Sequence, residues 1–287
     1  MLVITVAHSP DADDIFMYYA IKLGWVGLPG VTFENVALDI ETLNQEALKG
    51  TYDITAISFG LYPRIRNDYA LLRTAVSFGE GYGPKLVKKK GTKLKKSFKV
   101  ALSGHHTTNA LLFRLAYPDA RIVYKNFLDI EPAVLCGEVD AGVLIHESIL
   151  TFDESLEVAR ELWDVWCELG GDGLPLPLGG MALRRSLPLV KAIAYEKMLT
   201  DAVRVGNASK PLLSRMLLER GLFRVDADKL ETYLSMYAND ASVSMNETQL
   251  RAINHLFKLG FDHGVYDVPL DVHDFLIPTH YETARFS

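Results

Sequence analysis

Leu135-Cys136-Gly137-Glu138-Val139-Asp140-Ala141-Gly142-Val143-Leu144-Ile145-His146-Glu147 is the stretch whose reading decides the fold. A helix over 131–135 stops at Gly137, where a residue without Cβ takes the left-handed turn, and an apolar strand over 141–145 follows. The strand ends in His146. Parallel strands buried on both faces read as unbroken apolar runs, and ligands of open α/β sheets gather beyond their carboxyl ends. His146 therefore stands where a ligand is expected.

The phrase has an earlier copy, Leu48-Lys49-Gly50-Thr51-Tyr52-Asp53-Ile54-Thr55-Ala56-Ile57-Ser58. Leu, Gly and Asp keep their spacing, and both copies run into an apolar strand with a polar end, Ser58 in one and His146 in the other. A second pair agrees with the first. Strand 2–7 runs into Ser9-Pro10-Asp11, and strand 98–102 into Ser103-Gly104-His105-His106-Thr107-Thr108, each before a helical pattern. Two α/β units of similar plan are expected to face each other across a cleft with four polar corners.

The 287 residues suffice for one large or two ordinary domains, and 49% hydrophobic content supplies their cores. A formal charge of −6 argues against a nucleic-acid binder. No apolar run reaches the roughly 18 to 20 residues of a membrane span. The chain starts directly in a strand, without a basic segment or cleavage site, so a cytoplasmic protein is expected. Cys136 and Cys167 lack metal-ligand spacing and read as reduced core thiols.

Further along, 9–14 reads as a helix start with an acidic first turn; these carboxylates either compensate the helix dipole or touch a ligand. Strands are expected at 31–38 and 70–76, with helices at 40–48 and 61–67. The turn-rich 79–84 marks the crossing into the second unit, and the lysines from Lys85 to Lys99 read as a solvated face. A strand at 121–124 and helices at 130–136 and 157–169 complete that unit. The Gly- and Pro-rich run 170–180 is the strongest loop signal and is taken as the return crossing. Helical patterns at 187–203, 210–219, 227–236 and 247–259 follow, then an aromatic tail ending in Phe286, all expected to pack on the first unit. The expected division is 1–88 with 182–287 as one domain and 89–181 as the other.

Among chemical candidates His146 leads, because an imidazole takes and returns protons near neutral pH. Glu147, on the opposite face if the strand continues, reads as structural. Ser103 to Asn109 opens a helix after a strand, where free N–H groups and small hydroxyls suit a carboxylate, although Ser and Thr are also ordinary caps. A metal is not expected: His146-Glu147 lacks the second histidine of His-Glu-x-x-His, and His105 and His106 are adjacent. No phosphate-loop lysine, Gly-x-Gly-x-x-Gly or Gly-x-Ser-x-Gly motif occurs where a nucleotide cofactor or a serine hydrolase would need one.

Taken together, Ser9-Pro10-Asp11-Ala12-Asp13-Asp14-Ile15-Phe16, Tyr52 to Ser58, Gly83-Pro84-Lys85-Leu86, Ser103-Gly104 with Thr107-Thr108, His146-Glu147 and Leu176-Pro177-Leu178-Gly179-Gly180 resemble the 1,4-dihydroxy-6-naphthoate synthase family. These are lyases of the futalosine route to menaquinone. The resemblance runs to about Met181. It implies an α/β, two-domain, type II periplasmic-binding-protein-like fold with a central cleft and two crossover segments. It further implies cleavage of cyclic dehypoxanthine futalosine, a small carboxylate, to 1,4-dihydroxy-6-naphthoate without a cofactor. By the same resemblance His146 is the proton acceptor, and Ala56, Ile57, Ser58, Ser103, Thr107, Thr108 and Asp14 hold the substrate. Family members often have Asn-Asp-Thr-Phe where this chain has Asp13-Asp14-Ile15-Phe16, and a lysine where Ala56 stands. Two rivals share the fold: chorismate dehydratase, and a non-enzymatic solute-binding protein for a small organic anion.

Overall fold

The computed structural model describes residues 2–9, 12–219 and 226–281. Pro10 and Asp11 of the expected helix start, and Phe286 of the tail, lie outside the described residues. The chain opens with β1 (Leu2–His8), α1 (Ala12–Lys22), β2 (Val31–Ala37), α2 (Ile40–Lys49), β3 (Ile54–Ser58), α3 (Tyr62–Ile65), β4 (Tyr69–Leu71) and β5 (Ser77–Gly79). It continues through β6 (Lys85–Lys89), β7 (Lys99–Leu102), α4 (Thr108–Ala116), β8 (Arg121–Tyr124), α5 (Phe127–Leu135), β9 (Ala141–Leu144), β10 (Leu156–Glu161) and α6 (Leu162–Trp166). It returns with β11 (Leu176–Arg184), α7 (Leu189–Ala208), α8 (Lys210–Glu219), α9 (Ala227–Tyr237), α10 (Asp240–Val243) and α11 (Glu247–Asp262).

Among the described residues the strands form two sheets. The first has the order β2-β1-β3-β11-β4, with β5 on β11; the second has the order β10-β6-β9-β7-β8. Each is built on a parallel pair from the repeated phrase. β1 pairs with β3 (Val6 opposite Ile54), and β7 pairs with β9 (Val100 opposite Ala141). The shared Gly and Asp have matching work. Gly50 and Gly137 take φ of 68° and 79° at the ends of α2 and α5. The Asp53 carboxylate accepts the Thr5 N–H of β1 at 3.0 Å, and the Asp140 carboxylate accepts the Lys99 N–H of β7 at 2.7 Å. In both units the aspartate, just before its own strand, ties the start of that strand to its parallel neighbour.

The strand expected at 70–76 is shortened to β4, which ends at Leu71, and two further expected elements differ. The first part of 157–169, expected as helix, is strand β10, which pairs antiparallel with β6. The register sets Glu157 opposite Lys88 and Glu161 opposite Lys85, with ion pairs of 2.5 and 3.6 Å. Cross-strand charge pairing and a ladder to β6 outweigh a helical pattern that only α6 keeps. The second difference lies in 170–180, expected as loop. Its later half belongs to β11, which sits between β3 and β4. A Cβ on Gly179 would stand 2.8 Å from the Ile57 carbonyl oxygen, and one on Gly180 would stand 2.9 Å from the Phe59 ring. These glycines permit close strand approach, which in the sequence looks the same as a turn signal. The expected boundaries at 88/89 and 181/182 fall inside β6 and β11, whose hydrogen bonds belong wholly to the second and first sheet respectively.

One apolar cluster joins Ile57, Phe59 and Tyr62 of the first lobe to Leu86, Val100 and Leu144 of the second. Another packs α1 and α7 on the first sheet through Met17, Ala20, Tyr195 and Leu199. The C-terminal helices are not confined to the first lobe. His255 of α11 sets Nε2 3.0 Å from the Leu169 carbonyl oxygen in the wide turn Cys167–Gly171 of the second lobe.

Candidate active site

A cavity partly open to solvent lies between the lobes. Its wall includes Ala56, Ile57 and Ser58 from β3, Thr107 and Thr108 from the start of α4, Asp14 from α1, and His146. Ser103 alone of the candidate residues is not in the wall. It is buried behind it, where its hydroxyl accepts from Asn109 Nδ2 at 3.1 Å, and Asn109 does line the cavity.

Each polar side chain is held by an identifiable neighbour. Ser58 is clamped by the fully buried Asn44 of α2: its N–H donates to Asn44 Oδ1 at 2.9 Å, and Asn44 Nδ2 donates to its hydroxyl at 3.0 Å. The Asp14 carboxylate accepts the Ser9 N–H at 2.9 Å, tying the residue after β1 to α1. Thr107 caps α4, its hydroxyl accepting from the Ala110 N–H at 3.3 Å. Thr108 works differently from what its position suggests. Its hydroxyl donates to the Leu178 carbonyl at 2.9 Å and accepts from the Gly60 N–H at 3.0 Å, both in the first lobe. Its one proton is thereby committed to joining the lobes.

His146 begins the short turn His146–Ile149 just past β9, two residues beyond the strand tip at Leu144. Its φ is 55°, in the left-handed region that a residue with a Cβ seldom takes. The ring meets Phe127 edge-on at 4.9 Å between centroids. Ala75, also in the wall, is the other non-glycine described residue with positive φ, at 54°. Around these polar groups stand Ile145, Ile149 and Leu178, so the imidazole borders a largely apolar space.

Sequence reasoning missed Asn44, Asn109, Ala75 and the tyrosines 233 and 237 of α9, of which all but Asn44 line the cavity. Asn109 stands in the quoted corner motif, so a signal existed. The tyrosines are one helical turn apart and read only as helix periodicity. His105 and His106 lie outside the wall, their rings 4.7 Å apart, and burial lowers the pKa of each. Among the described residues no group of three or more His, Cys, Asp or Glu could hold a metal ion. No described helix is long and apolar enough to cross a membrane.

Comparison with known proteins gives this geometry a context. A protein of Thermus thermophilus called 1,4-dihydroxy-6-naphthoate synthase is 33% identical over 265 residues, covering 90% of this chain and 93% of the relative. A crystal structure of an Archaeoglobus fulgidus protein superposes with a TM-score of 0.84 at 34% identity, over 92% of this chain and 98% of that one. The periplasmic aliphatic sulphonate binding protein of Escherichia coli shares the fold, with a TM-score of 0.63 at 13% identity over 96% of this chain and 92% of that one. The two lobes thus have a periplasmic-binding-protein-like architecture. A family profile described as menaquinone biosynthesis matches residues 4–262, and the chain belongs to that family.

Proposed function

We propose that this chain is a carbon–carbon lyase that converts cyclic dehypoxanthine futalosine to 1,4-dihydroxy-6-naphthoate, with His146 as general base. The observation that carries the reading is the placement of His146, in left-handed backbone, on the wall of a cavity between the lobes that also presents Ser58, Thr107 and Asp14. The name of the Thermus thermophilus relative supports it.

On this reading the substrate carboxylate lies at the start of α4, where the first-turn N–H groups favour an anion. The imidazole of His146 removes a proton from the spiro-linked substrate. The electrons of the C–H bond form a π bond of the ring, which becomes aromatic as the C–C bond to the sugar-derived part breaks, and the electron pair of that bond leaves with the sugar-derived part, which takes up a proton. That gain in aromaticity supplies the driving force, so the protein's part is orientation and exclusion of water by Ile57, Ile145, Ile149 and Leu178. The two lobes act as two domains closing on a small carboxylate, and the reaction belongs to the cytoplasm.

The test is His146→Asn, chosen because asparagine tolerates left-handed backbone. Turnover, followed by the ultraviolet absorbance of the naphthoate, is expected to fall by a factor of about 100 or more. Substrate binding by calorimetry is expected to persist. Near-normal turnover in the variant would remove the histidine's role. Tight binding by the wild type without product would favour a binding protein, and an enol-ether product from chorismate would favour a dehydratase.

A further inference from the structure

Behind the main cavity lies a much smaller one, with room for about one water-sized group, that shares three of its walls, Asp14, Ala75 and Tyr237. Its far side is made by Phe16, Met17 and Val203 together with two polar side chains, Asn207 and Ser242. Those two are hydrogen-bonded to each other in one direction. Asn207 Nδ2 donates to the Asn239 carbonyl at 2.9 Å and to Ser242 Oγ at 3.4 Å, and Ser242 Oγ donates to the Asn239 carbonyl at 2.7 Å. Both amide hydrogens of Asn207 and the hydroxyl hydrogen of Ser242 are therefore taken. What the pair has left to offer is acceptor oxygen, the Asn207 carbonyl above all. Asp14 adds a carboxylate at the mouth.

The two ends of the combined space differ in chemistry. At the start of α4 the first-turn N–H groups are donors and favour an anion; at the side cavity the groups are acceptors, with a carboxylate among them. A carboxylate ligand is repelled from the second end, whereas a hydroxyl group is welcome there. We infer that the side cavity is a subsite for one hydroxyl group on an arm of the ligand, held by the oxygens of Asp14, Asn207 and Ser242. This deepens the proposed function and rests on it. The arm is the sugar-derived part that leaves; it lies in the main cavity and reaches the side cavity with that hydroxyl.

The test compares a ligand with the arm and one without it. In Asn207→Leu the KM for cyclic dehypoxanthine futalosine is expected to rise about tenfold, as for one lost hydrogen bond in a closed site. The milder Ser242→Ala is expected to raise it about threefold. The Kd of 1,4-dihydroxy-6-naphthoate, which lacks the arm, is expected to stay within a factor of two in both, which also shows that the variants fold. An unchanged KM in both variants overturns the subsite, and so does an equal weakening of the naphthoate. Absence of turnover by the wild type is a different result, which removes the proposed reaction and the subsite with it.

Discussion

Ala75 and His146 hold a backbone conformation that costs of order 1–3 kcal/mol each, and both face the ligand cavity. Such strain persists only where neighbours over-determine it. At Ala75 the neighbours are explicit: its N–H donates to the Ser242 carbonyl at 2.9 Å, and two residues earlier the Arg73 N–H donates to Glu196 of α7 at 2.7 Å. Glu196 is also 3.7 Å from the Arg73 guanidinium, yet burial is the larger influence and holds its pKa above the usual 4.5. A raised acid binds its proton more tightly folded than unfolded. Its contribution to stability is complete below pH 4.5 and is lost as pH rises through the raised folded value. Glu196→Gln keeps an acceptor for the Arg73 N–H and cannot ionise. Thermal unfolding from pH 4 to 8 is expected to show a shallower decline for the variant than for the wild type; parallel curves would contradict this.

Between residues and molecule, the recurring phrase Leu-x-Gly-x-x-Asp is a working element: helix end, left-handed glycine, and an aspartate tied to the neighbouring parallel strand. Local steric and hydrogen-bonding rules require these residue types, which is why the unit was legible without coordinates. Where the call for structure came from partners distant in sequence, the local pattern misled. β10 exists because β6 offers Lys85 and Lys88 across the ladder, and β11 exists because its glycines admit β3 at close range. Gly179→Ala tests the second statement. A methyl 2.8 Å from the Ile57 carbonyl oxygen must push the strands apart, since backbone cannot swing aside as a side chain can. A loss of about 1–3 kcal/mol is expected from urea unfolding, with lowered turnover because Ile57 and Gly179 both line the cavity. Wild-type stability in this variant would mean that β11 does not need its glycine.

For the whole molecule, the lobes are joined by hydrogen bonds near the cavity as well as by the chain crossings. Thr108 reaches Gly60 and Leu178, and the His106 N–H donates to Glu41 of α2 at 3.1 Å. Thr108→Val keeps the shape and removes the hydroxyl. Leaving the Gly60 N–H and the Leu178 carbonyl without it is expected to cost about 1–3 kcal/mol, read as a lower urea midpoint at unchanged slope, with a raised KM. An unaltered midpoint would remove the joining role.

By itself the sequence determined the α/β class, the doubled unit, and a histidine just beyond a strand end, because these follow from periodicity, glycine sterics and capping within short segments. Tertiary structure alone decided that Thr108 joins the lobes, that Asn44 clamps Ser58, and that α9 brings tyrosines 233 and 237 to the cavity. Those pairings bring together groups from separate elements, 14 residues apart for Asn44 and Ser58 and 70 for Thr108 and Leu178. Local propensity carries no information about which distant donor will satisfy a buried acceptor, since that choice is made only when the lobes pack.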